Sequence, residues 1–338
     1  MTSVRAMGTR GPGGRLAPME YELPELGAHD VEIAVSHCGI CHSDLSMLDN
    51  EWGMTRYPFV PGHEVAGTVA AVGSQVNGLR RGDRVGLGWF SRSCMSCRTC
   101  MRGDHNLCAT VEQTIVGRHG GFATRVRCSA EWCVPIPEGV DPAKAGPLFC
   151  GGITVFNPIV QFGVSPMDRV GVVGMGGVGH LGVQFLRAWG CEVHAFTSSP
   201  SKEREALELG AHATINSRNR EELARHAGRF DFLLVTANVA LDWDLYINLL
   251  GPRGRLHVVG AVLEPIPVGA FPLITQQRSV SGSPLGSPAT TARMLDFCAR
   301  HRIEPITEEM PLSKANEALD HLKSGRARYR IVLKNDLA

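Results

Sequence analysis

Apolar positions in the first 140 residues follow the period of β-strands. Val31, Ile33 and Val35 alternate with polar neighbours, and residues 68–72 form a second short run that ends at Gly73. Alternation with period two between glycine-rich turns is typical of strands with one buried face. The first part of the chain is therefore predicted to be β-rich, with loops between its strands.

A different rhythm follows in the second part of the chain. Residues 170–173 form a strand-like run, residues 178–189 have apolar positions at helical spacing, and residues 191–196 are strand-like again. This order predicts a βαβ unit. Further strand-like runs at 232–235 and 256–259 extend a parallel sheet. The predicted fold class is α/β.

The length of 338 residues fits two domains of roughly 150 residues each. Residues 289–338 carry two helical patterns and a final strand, which we expect to return to the first domain. The predicted catalytic domain is therefore residues 1–150 with 289–338, and the predicted dinucleotide-binding domain is residues 151–288.

Composition and charge favour a small-molecule partner. Apolar residues make up 43% of the chain, the net charge is +1, and no basic run exceeds short pairs such as Arg80 with Arg81. Neither nucleic acid nor an anionic membrane is predicted as a partner. No apolar stretch approaches a membrane span, and the first thirty residues lack the apolar core of a signal peptide. We expect a cytoplasmic protein.

Four of the eleven cysteines form one compact motif, which we call the knuckle: Cys94, Cys97, Cys100 and Cys108. Their C-x2-C-x2-C-x7-C spacing lets four thiolates surround one tetrahedral Zn²⁺, and it predicts a structural zinc lobe over residues 91–110. The alternatives are a pair of disulfides, which a reducing compartment disfavours, and a chance cluster in a cysteine-rich chain. The other five cysteines stand singly among apolar residues and are predicted to be packing residues: Cys38, Cys128, Cys133, Cys191 and Cys298.

A second set of metal-binding residue types is spread along the chain. It consists of Cys41, of His63 and Glu64 after Gly62, and of Cys150. Two cysteines and one histidine give the ligand number of a catalytic zinc, which keeps its fourth position for water or substrate. A single histidine is more often an ordinary buried residue, but His63 stands between Gly62 and Glu64.

The turn between the first strand and helix of the βαβ unit is rich in glycine. Gly174, Gly176, Gly177, Val178 and Gly179 complete a Gly-x-Gly-x-x-Gly match between strand and helix. Gly174 permits a tight turn, Gly176 lets backbone amides approach a pyrophosphate, and Gly179 lets the helix lie close to the sheet. These residues are predicted to bind a dinucleotide.

The end of the next strand indicates which dinucleotide binds. An NAD site needs an acidic residue about 20 positions on, but this chain has Thr197, Ser198, Ser199 and Lys202 there. Three hydroxyls and one ammonium form a donor set for a 2′-phosphate. The prediction is NADP(H). The alternative is a solvated turn whose serines cap the following helix.

With these motifs the chain resembles a known family, the zinc-containing alcohol dehydrogenases of the medium-chain dehydrogenase/reductase superfamily. Residues 62–67, read as Gly-His-Glu-x-x-Gly, are followed by Gly73 and Val76 as in the zinc signature of that family. The knuckle matches its structural lobe, and the resemblance runs nearly end to end.

Within the superfamily the chain is similar to the cinnamyl alcohol dehydrogenase branch. Residues 39–44, the Thr-Ser-Ser-x-x-Lys set at 197–202 and residues 328–330 carry this likeness. Residues 45–53 and 145–154 look like the bacterial NADPH-dependent broad-range aldehyde reductases of the branch.

The resemblance implies a GroES-like β-rich catalytic domain and a Rossmann domain with a doubly wound parallel sheet. It implies a catalytic zinc on Cys41, His63 and Cys150, with Glu64 as an adjacent carboxylate able to replace water. Asp44 would hold His63, since a ligating histidine normally gives its other ring proton to a carboxylate.

The implied reaction is the reversible reduction of an aldehyde to a primary alcohol by hydride from NADPH, with zinc polarising the carbonyl. Ser43 can hydrogen-bond the substrate oxygen and return a proton, unless it is only a helix cap. Relatives often carry a histidine at the Ser46 position, which passes the proton from the cofactor ribose to water. This chain has a serine there, so that route for the proton is in doubt. The His42 position approaches the cofactor pyrophosphate in the family.

Further cofactor contacts are implied for Thr154 and for Gly260, Ala261 and Val262, which follow a sheet strand where the nicotinamide would sit. Residues 278–283 are predicted to be an edge strand of the nucleotide domain, where relatives pair their sheets, so we expect a homodimer.

Two tryptophans suit a pocket for apolar aldehydes, Trp52 and Trp89, although a tryptophan is as often a core residue. Two other functions compete with aldehyde reduction. An NAD-dependent polyol or alcohol dehydrogenase would need an acidic residue near Thr197, and a non-catalytic dinucleotide sensor would have lost zinc ligands that this chain retains.

Overall fold

The structure is a computed structural model, and it describes residues 2–337. The chain forms two compact units. Unit 1 extends to Ile153 and resumes at Gly286, and unit 2 comprises Thr154–Leu285. No helix within the described residues is long and apolar enough to cross a membrane.

The strands are β1 (Thr2–Gly8), β2 (Ala17–Leu23), β3 (Asp30–Ile40), β4 (Val65–Val72), β5 (Arg84–Leu87), β6 (Phe90–Arg92), β7 (Glu112–Gln113), β8 (Arg125–Ser129), β9 (Val134–Pro135), β10 (Arg169–Val173), β11 (Glu192–Thr197), β12 (Ala213–Asn216), β13 (Phe230–Val235), β14 (Leu250–Val258), β15 (Ser279–Gly282), β16 (Thr307–Pro311) and β17 (Arg330–Lys334). The helices are α1 (His42–Leu48), α2 (Arg98–Met101), α3 (Pro142–Ala145), α4 (Gly151–Gln161), α5 (Gly179–Trp189), α6 (Pro200–Glu208), α7 (Arg220–Ala224), α8 (Trp243–Leu249), α9 (Ala270–Gln276), α10 (Pro288–His301) and α11 (Ala315–Lys323).

Unit 1 is built around the long strand β3. The main sheet has the order β16-β17-β3-β4-β5-β9, and β8 also pairs with β3. The predicted alternation holds in this strand, because Val31, Ile33 and Val35 are all buried. Two register irregularities between β3 and β4 bend the pair. Two separate antiparallel pairs, β1 with β2 and β6 with β7, complete the strands of this unit.

Unit 2 has a six-stranded parallel sheet in the order β12-β11-β10-β13-β14-β15. In sequence order within the unit this is 3-2-1-4-5-6, the strand order of a doubly wound dinucleotide-binding fold. The predicted βαβ unit is confirmed as β10, α5 and β11, and β15 lies at the sheet edge as predicted.

Apolar side chains fill the centre of unit 2, because a parallel sheet is covered on both faces. Val173, Phe196, Leu233 and Val235 of the central strands are at most 2% exposed and share one core cluster. The five single cysteines are buried, which confirms them as interior residues: Cys38, Cys128, Cys133, Cys191 and Cys298.

Candidate metal centre and nucleotide turn

The second set of metal-binding residue types comes together in unit 1, where three chain segments meet. Cys41 follows β3, His63 and Glu64 immediately precede β4, and Cys150 immediately precedes α4. Since β3 and β4 are antiparallel neighbours, the end of one lies beside the start of the other. One ligand atom from each of the four residues lies within 4.8 Å of all the others, and the two sulfur atoms are 3.9 Å apart.

This set has the chemistry of a zinc site. All four residues are buried, and among the described residues His63 Nε2 meets no hydrogen-bond partner. A buried polar atom without a partner is costly. Two sulfur atoms and one such nitrogen are the ligands that zinc prefers, so the residues present fit the metal.

Asp44 fixes the geometry of these segments from a fully buried position. Its Oδ2 accepts a hydrogen bond from the Cys41 backbone amide at 2.9 Å, and its Oδ1 accepts one from the Gly62 amide at 2.9 Å. His63 Nδ1 lies 3.1 Å from the same Oδ1. A carboxylate can only accept there, so Nδ1 carries a proton and Nε2 is the ring nitrogen left to face a metal.

Arg330 is a member of this site that sequence reasoning missed. Its guanidinium pairs with Glu64 Oε1, and both side chains are almost fully buried. Arg330 opens β17, whose next residue pairs with Ile40 at the end of β3. Gly39 is required here, because a Cβ on it would lie 2.1 Å from Glu64 Oε2. The sequence shows only an arginine at the start of an apolar run, which does not by itself indicate a buried ion pair.

The surrounding charges set the protonation of the ligands. The hydrogen bond from Cys150 and the charge of Arg330 lower the pKa of the Cys41 thiol well below its ordinary value, against the effect of burial. The same hydrogen bond and burial raise the pKa of Cys150. Burial would lower the pKa of His63, but Asp44 and Cys41 raise it. The deprotonated form is therefore favoured at Cys41 over Cys150.

Two tryptophan rings adjoin the set. Trp89 meets the His63 ring edge to face, with ring centroids 5.0 Å apart, and Trp52 meets Trp89 in the same way at 5.9 Å. Both tryptophans are partly exposed, so neither is a core residue. They form an aromatic wall beside His63.

Helix α1 carries the residues implied in proton transfer. Its N-cap is Cys41, so Ser43 lies inside the helix, and the alternative of Ser43 as a cap is wrong. Ser43 Oγ lies 3.7 Å from Cys41 Sγ and is partly exposed. Ser46 is also partly exposed, and His42 is exposed.

The knuckle occupies the segment between β6 and β7. Its four sulfur atoms lie within 4.8 Å of one another, with Cys94 Sγ 3.6 Å from Cys108 Sγ. The Cys97 amide donates to Cys94 Sγ at 3.3 Å, and the Cys100 amide donates to Cys97 Sγ at 3.5 Å. Amide donors from Ser96 and Cys97 lower the pKa of Cys94 to about 6. Amides that stabilise thiolates fit a four-sulfur zinc site.

The glycine turn in unit 2 has the conformation that its sequence predicts. Gly174 has φ +102°, and a Cβ on Gly179 would lie 1.8 Å from the Gly174 carbonyl oxygen. A Cβ on Gly176 would meet no atom within 4 Å. The backbone at Gly176 is therefore open to a ligand at the start of α5, which fits a pyrophosphate. Gly177 and Val178 complete the turn, with Val178 as the N-cap.

The predicted phosphate set lies at the junction of β11 and α6. Thr197 is buried and its Oγ1 accepts from the Ser199 amide at 3.2 Å, whereas Ser198 is exposed. Ser199 is the N-cap of α6, but its side chain makes no capping bond, and its Oγ lies 2.9 Å from Ser201 Oγ. Lys202 stands in the first turn of α6. The Ser199 hydroxyl is thus not used as a cap.

The remaining residues predicted to contact the cofactor differ in how far they are buried. A Cβ on Gly260 would lie 2.0 Å from the Ala237 carbonyl oxygen, so this glycine is required by backbone packing. Val262 packs against the core cluster of unit 2, and Ala261 is exposed. Thr154 is partly exposed in α4.

Comparison with known proteins identifies the family. Residues 27–138 match the alcohol dehydrogenase GroES-like domain, and residues 177–300 match the zinc-binding dehydrogenases. The aldehyde reductase AdhA of Synechocystis sp. is 56% identical over 98% of each chain. A probable cinnamyl alcohol dehydrogenase of Oryza sativa is 39% identical over 98% of this chain and 95% of that one.

Solved structures agree with these relatives. A cinnamyl alcohol dehydrogenase from Sorghum bicolor superposes with a TM-score of 0.94 at 35% identity, with 98% of each chain covered. The cinnamyl alcohol dehydrogenase from Helicobacter pylori complexed with NADP(H) superposes with a TM-score of 0.90 at 28% identity, again over 98% of each chain. The predicted GroES-like and Rossmann architecture is confirmed. The chain therefore belongs to the zinc-dependent alcohol dehydrogenases of the medium-chain dehydrogenase/reductase superfamily, in the cinnamyl alcohol dehydrogenase branch, and is an oxidoreductase of aldehydes and alcohols.

Proposed function

We propose that this protein reduces aldehydes to primary alcohols, reversibly, with NADPH as the hydride donor. The observation that carries the proposal is the buried Cys41, His63 and Cys150 set, in which His63 Nε2 has no partner among the described residues. A metal on this set would give that buried nitrogen the partner that it lacks. The aldehyde reductase that is 56% identical supports the same reaction.

Cys41, His63 and Cys150 would hold the catalytic zinc, and the four knuckle cysteines would hold a second, structural zinc. When bound in the first site, zinc supplies Lewis-acid polarisation of a carbonyl oxygen. Glu64 is the residue that can occupy the open position, because its Oε2 has no partner among the described residues while Arg330 holds Oε1. We assign catalysis to unit 1 and dinucleotide binding to unit 2.

Ser43 is the residue that we assign to proton transfer. Its hydroxyl is partly exposed and lies 3.7 Å from Cys41 Sγ, so it can donate to an oxygen that binds beside that sulfur. Ser43→Ala is expected to lower turnover by roughly 10²-fold, the scale of a lost acid–base contact. The measurement is the steady-state rate of NADPH oxidation with one aldehyde.

Ser46→Ala is the matched control for Ser43→Ala. Ser46 lies one turn further along α1 and is also partly exposed. Ser46 lacks the contact with Cys41 that Ser43 makes, and unlike a relay histidine it does not titrate near neutral pH, so we assign it no relay role. Turnover of Ser46→Ala should stay near the wild-type value. Equal losses in the two variants would make Ser46 a working relay member and contradict this assignment.

NADP(H) is the proposed cofactor because the end of β11 offers hydroxyls and Lys202 instead of a carboxylate. Charge-assisted contacts are worth about 1.5–3 kcal/mol each. Lys202→Ala should therefore weaken NADPH by one to two decades and leave NADH nearly unchanged. Thr197→Asp should go further, since a carboxylate there repels the phosphate and accepts from free ribose hydroxyls.

The ratio of kcat/KM for NADPH and NADH, measured with one aldehyde at fixed ionic strength, tests the cofactor assignment. Arg204→Ala is the matched control, because it removes one positive charge from an exposed position of the same helix. Equal losses with both cofactors in Lys202→Ala, or a wild-type preference for NADH, would place the phosphate pocket elsewhere.

Apolar aldehydes are the proposed substrates. Trp89 and Trp52 form the aromatic wall beside His63, and such walls bind apolar and aromatic groups through buried surface. The cinnamyl alcohol dehydrogenases among the relatives support an aromatic side chain on the carbonyl. Activity on a panel of aliphatic and aromatic aldehydes with each cofactor, together with zinc content, tests the proposed function as a whole.

A homodimer is the proposed assembly. Strand β15 is at the edge of the unit 2 sheet, and α9 just before it exposes Phe271 by 79% and Ile274 by 71%. An exposed apolar helix face next to an open strand edge favours pairing with a second copy. Light scattering should give about twice the chain mass of 36.5 kDa.

The double variant Phe271→Asp, Ile274→Asp should shift the mass to that of a monomer, because two buried carboxylates would oppose pairing. Met101→Asp is the control, since it adds a charge at a 74% exposed apolar position in the knuckle. A wild-type monomer, or an unchanged dimer in the double variant, would exclude this interface.

A further inference from the structure

Arg218 lies at the same edge of the unit 2 sheet as the predicted phosphate set. Strands β11 and β12 are parallel neighbours in which Thr197 pairs with Asn216. The Ser217 amide then donates to the Thr197 carbonyl at 3.1 Å. Ser198 and Arg218 are the next residues of the two segments, and both are exposed. Neighbouring strands are about 4.8 Å apart, so a long side chain on one segment reaches the other.

The turn that carries Arg218 is held by specific hydrogen bonds. Asn216 Oδ1 accepts from the Arg218 amide at 3.0 Å, and the Asn216 amide donates to Glu222 Oε1 at 3.0 Å. Asn219 Oδ1 accepts from the Glu222 amide at 3.1 Å and caps α7. The backbone position of Arg218 is therefore fixed by side chains on both sides of it.

The guanidinium of Arg218 is not neutralised by an acidic side chain in the part of the chain that the structure describes. Among the described residues it makes no ion pair, whereas Arg220, two positions further on, pairs with Asp242. The Glu222 carboxylate, four positions further on, is already bonded to the Asn216 amide. An ordered turn thus carries an unneutralised positive charge on the segment next to the one that carries the hydroxyls.

We propose that Arg218 is the second cationic contact of the adenosine 2′-phosphate and determines cofactor specificity together with Lys202. This inference rests on the proposed NADP(H) dependence. A phosphate monoester carries nearly two negative charges at neutral pH, and Lys202 neutralises only one. A guanidinium supplies two parallel N–H donors that match phosphate oxygens, which an ammonium cannot do.

Binding of two nucleotides, adenosine 2′,5′-bisphosphate and adenosine 5′-monophosphate, tests Arg218 without a reaction. Isothermal titration calorimetry of the full-length protein should show the bisphosphate weakened roughly tenfold in Arg218→Gln, the scale of one exposed charge-assisted contact. The monophosphate should bind as in the wild type. The loss should shrink at high salt, because exposed charges are screened. Arg218→Lys should recover part of the loss.

Arg225→Gln is the matched control, since Arg225 is equally exposed at the end of α7. It should bind both nucleotides as the wild type does. If Arg218→Gln keeps the bisphosphate affinity while Lys202→Ala loses it, Arg218 has no role and NADP(H) dependence stands. If Arg218→Gln weakens both nucleotides equally, the contact is to adenosine and the inference is wrong. A wild type that does not prefer the bisphosphate would overturn the proposed cofactor itself.

Discussion

Cys150→Ser is expected to give a folded protein that has lost about 10³-fold or more in aldehyde reduction and about one zinc per chain. Lewis-acid stabilisation is worth several kcal/mol, and each 1.4 kcal/mol is tenfold in rate. A neutral serine hydroxyl does not replace a thiolate as a zinc ligand. Cys150 follows a buried turn at the start of α4, and serine has nearly the same shape, so folding should survive.

The measurement is zinc content by mass spectrometry together with the rate of NADPH oxidation and the circular dichroism spectrum. Cys191→Ser is the matched control, because Cys191 is another buried cysteine whose sulfur donates to the Ser165 carbonyl at 3.3 Å. A serine can keep that bond, so zinc content and activity should be retained. A folded Cys150→Ser variant with full activity would remove Cys150 from the metal centre.

Cys100→Ser should instead damage the fold. A structural zinc contributes on the order of 10 kcal/mol of apparent binding energy in isolated zinc modules, and the knuckle has only short helices and the two-residue strand β7 to hold it without metal. We expect loss of the second zinc, a large fall in the midpoint of thermal unfolding or in soluble yield, and proteolysis within residues 91–110.

Ser96→Ala is the control for the knuckle, because Ser96 is an exposed residue between two of its cysteines. The substitution keeps the backbone amide that stabilises the Cys94 thiolate, so zinc content and thermal unfolding should not change. If Cys100→Ser matched the wild type in both measurements, the knuckle would not be a structural zinc site.

Local sequence patterns were sufficient to predict the strands and the helix on either side of the glycine turn. β10, α5 and β11 each have a clear period in their apolar residues, and Gly174 and Gly179 stand where a positive φ and a close contact require them. The knuckle could also be recognised from the sequence, because its four cysteines fall within fifteen residues. Short-range patterns of this kind depend little on the rest of the fold.

Contacts between segments that are far apart in the sequence could not be predicted in this way. Glu64 and Arg330 are 266 positions apart, and they meet because β17 pairs with β3. Nothing local to Arg330 shows that its charge is buried beside a carboxylate. Thr197 shows a second limit, since nothing in the sequence indicates that its hydroxyl accepts from the Ser199 amide. Side-chain pairing of this kind is decided by the folded backbone.

The dependence of aldehyde-driven NADPH oxidation on zinc content tests the central claim most directly. The wild-type protein is titrated with a chelator and then with Zn²⁺, and zinc per chain and rate are measured at each step. Because each of the two proposed sites would hold one zinc, we predict that activity rises in proportion to zinc between about one and about two per chain. Activity that persists unchanged at one zinc per chain or below would contradict a catalytic zinc at Cys41, His63 and Cys150.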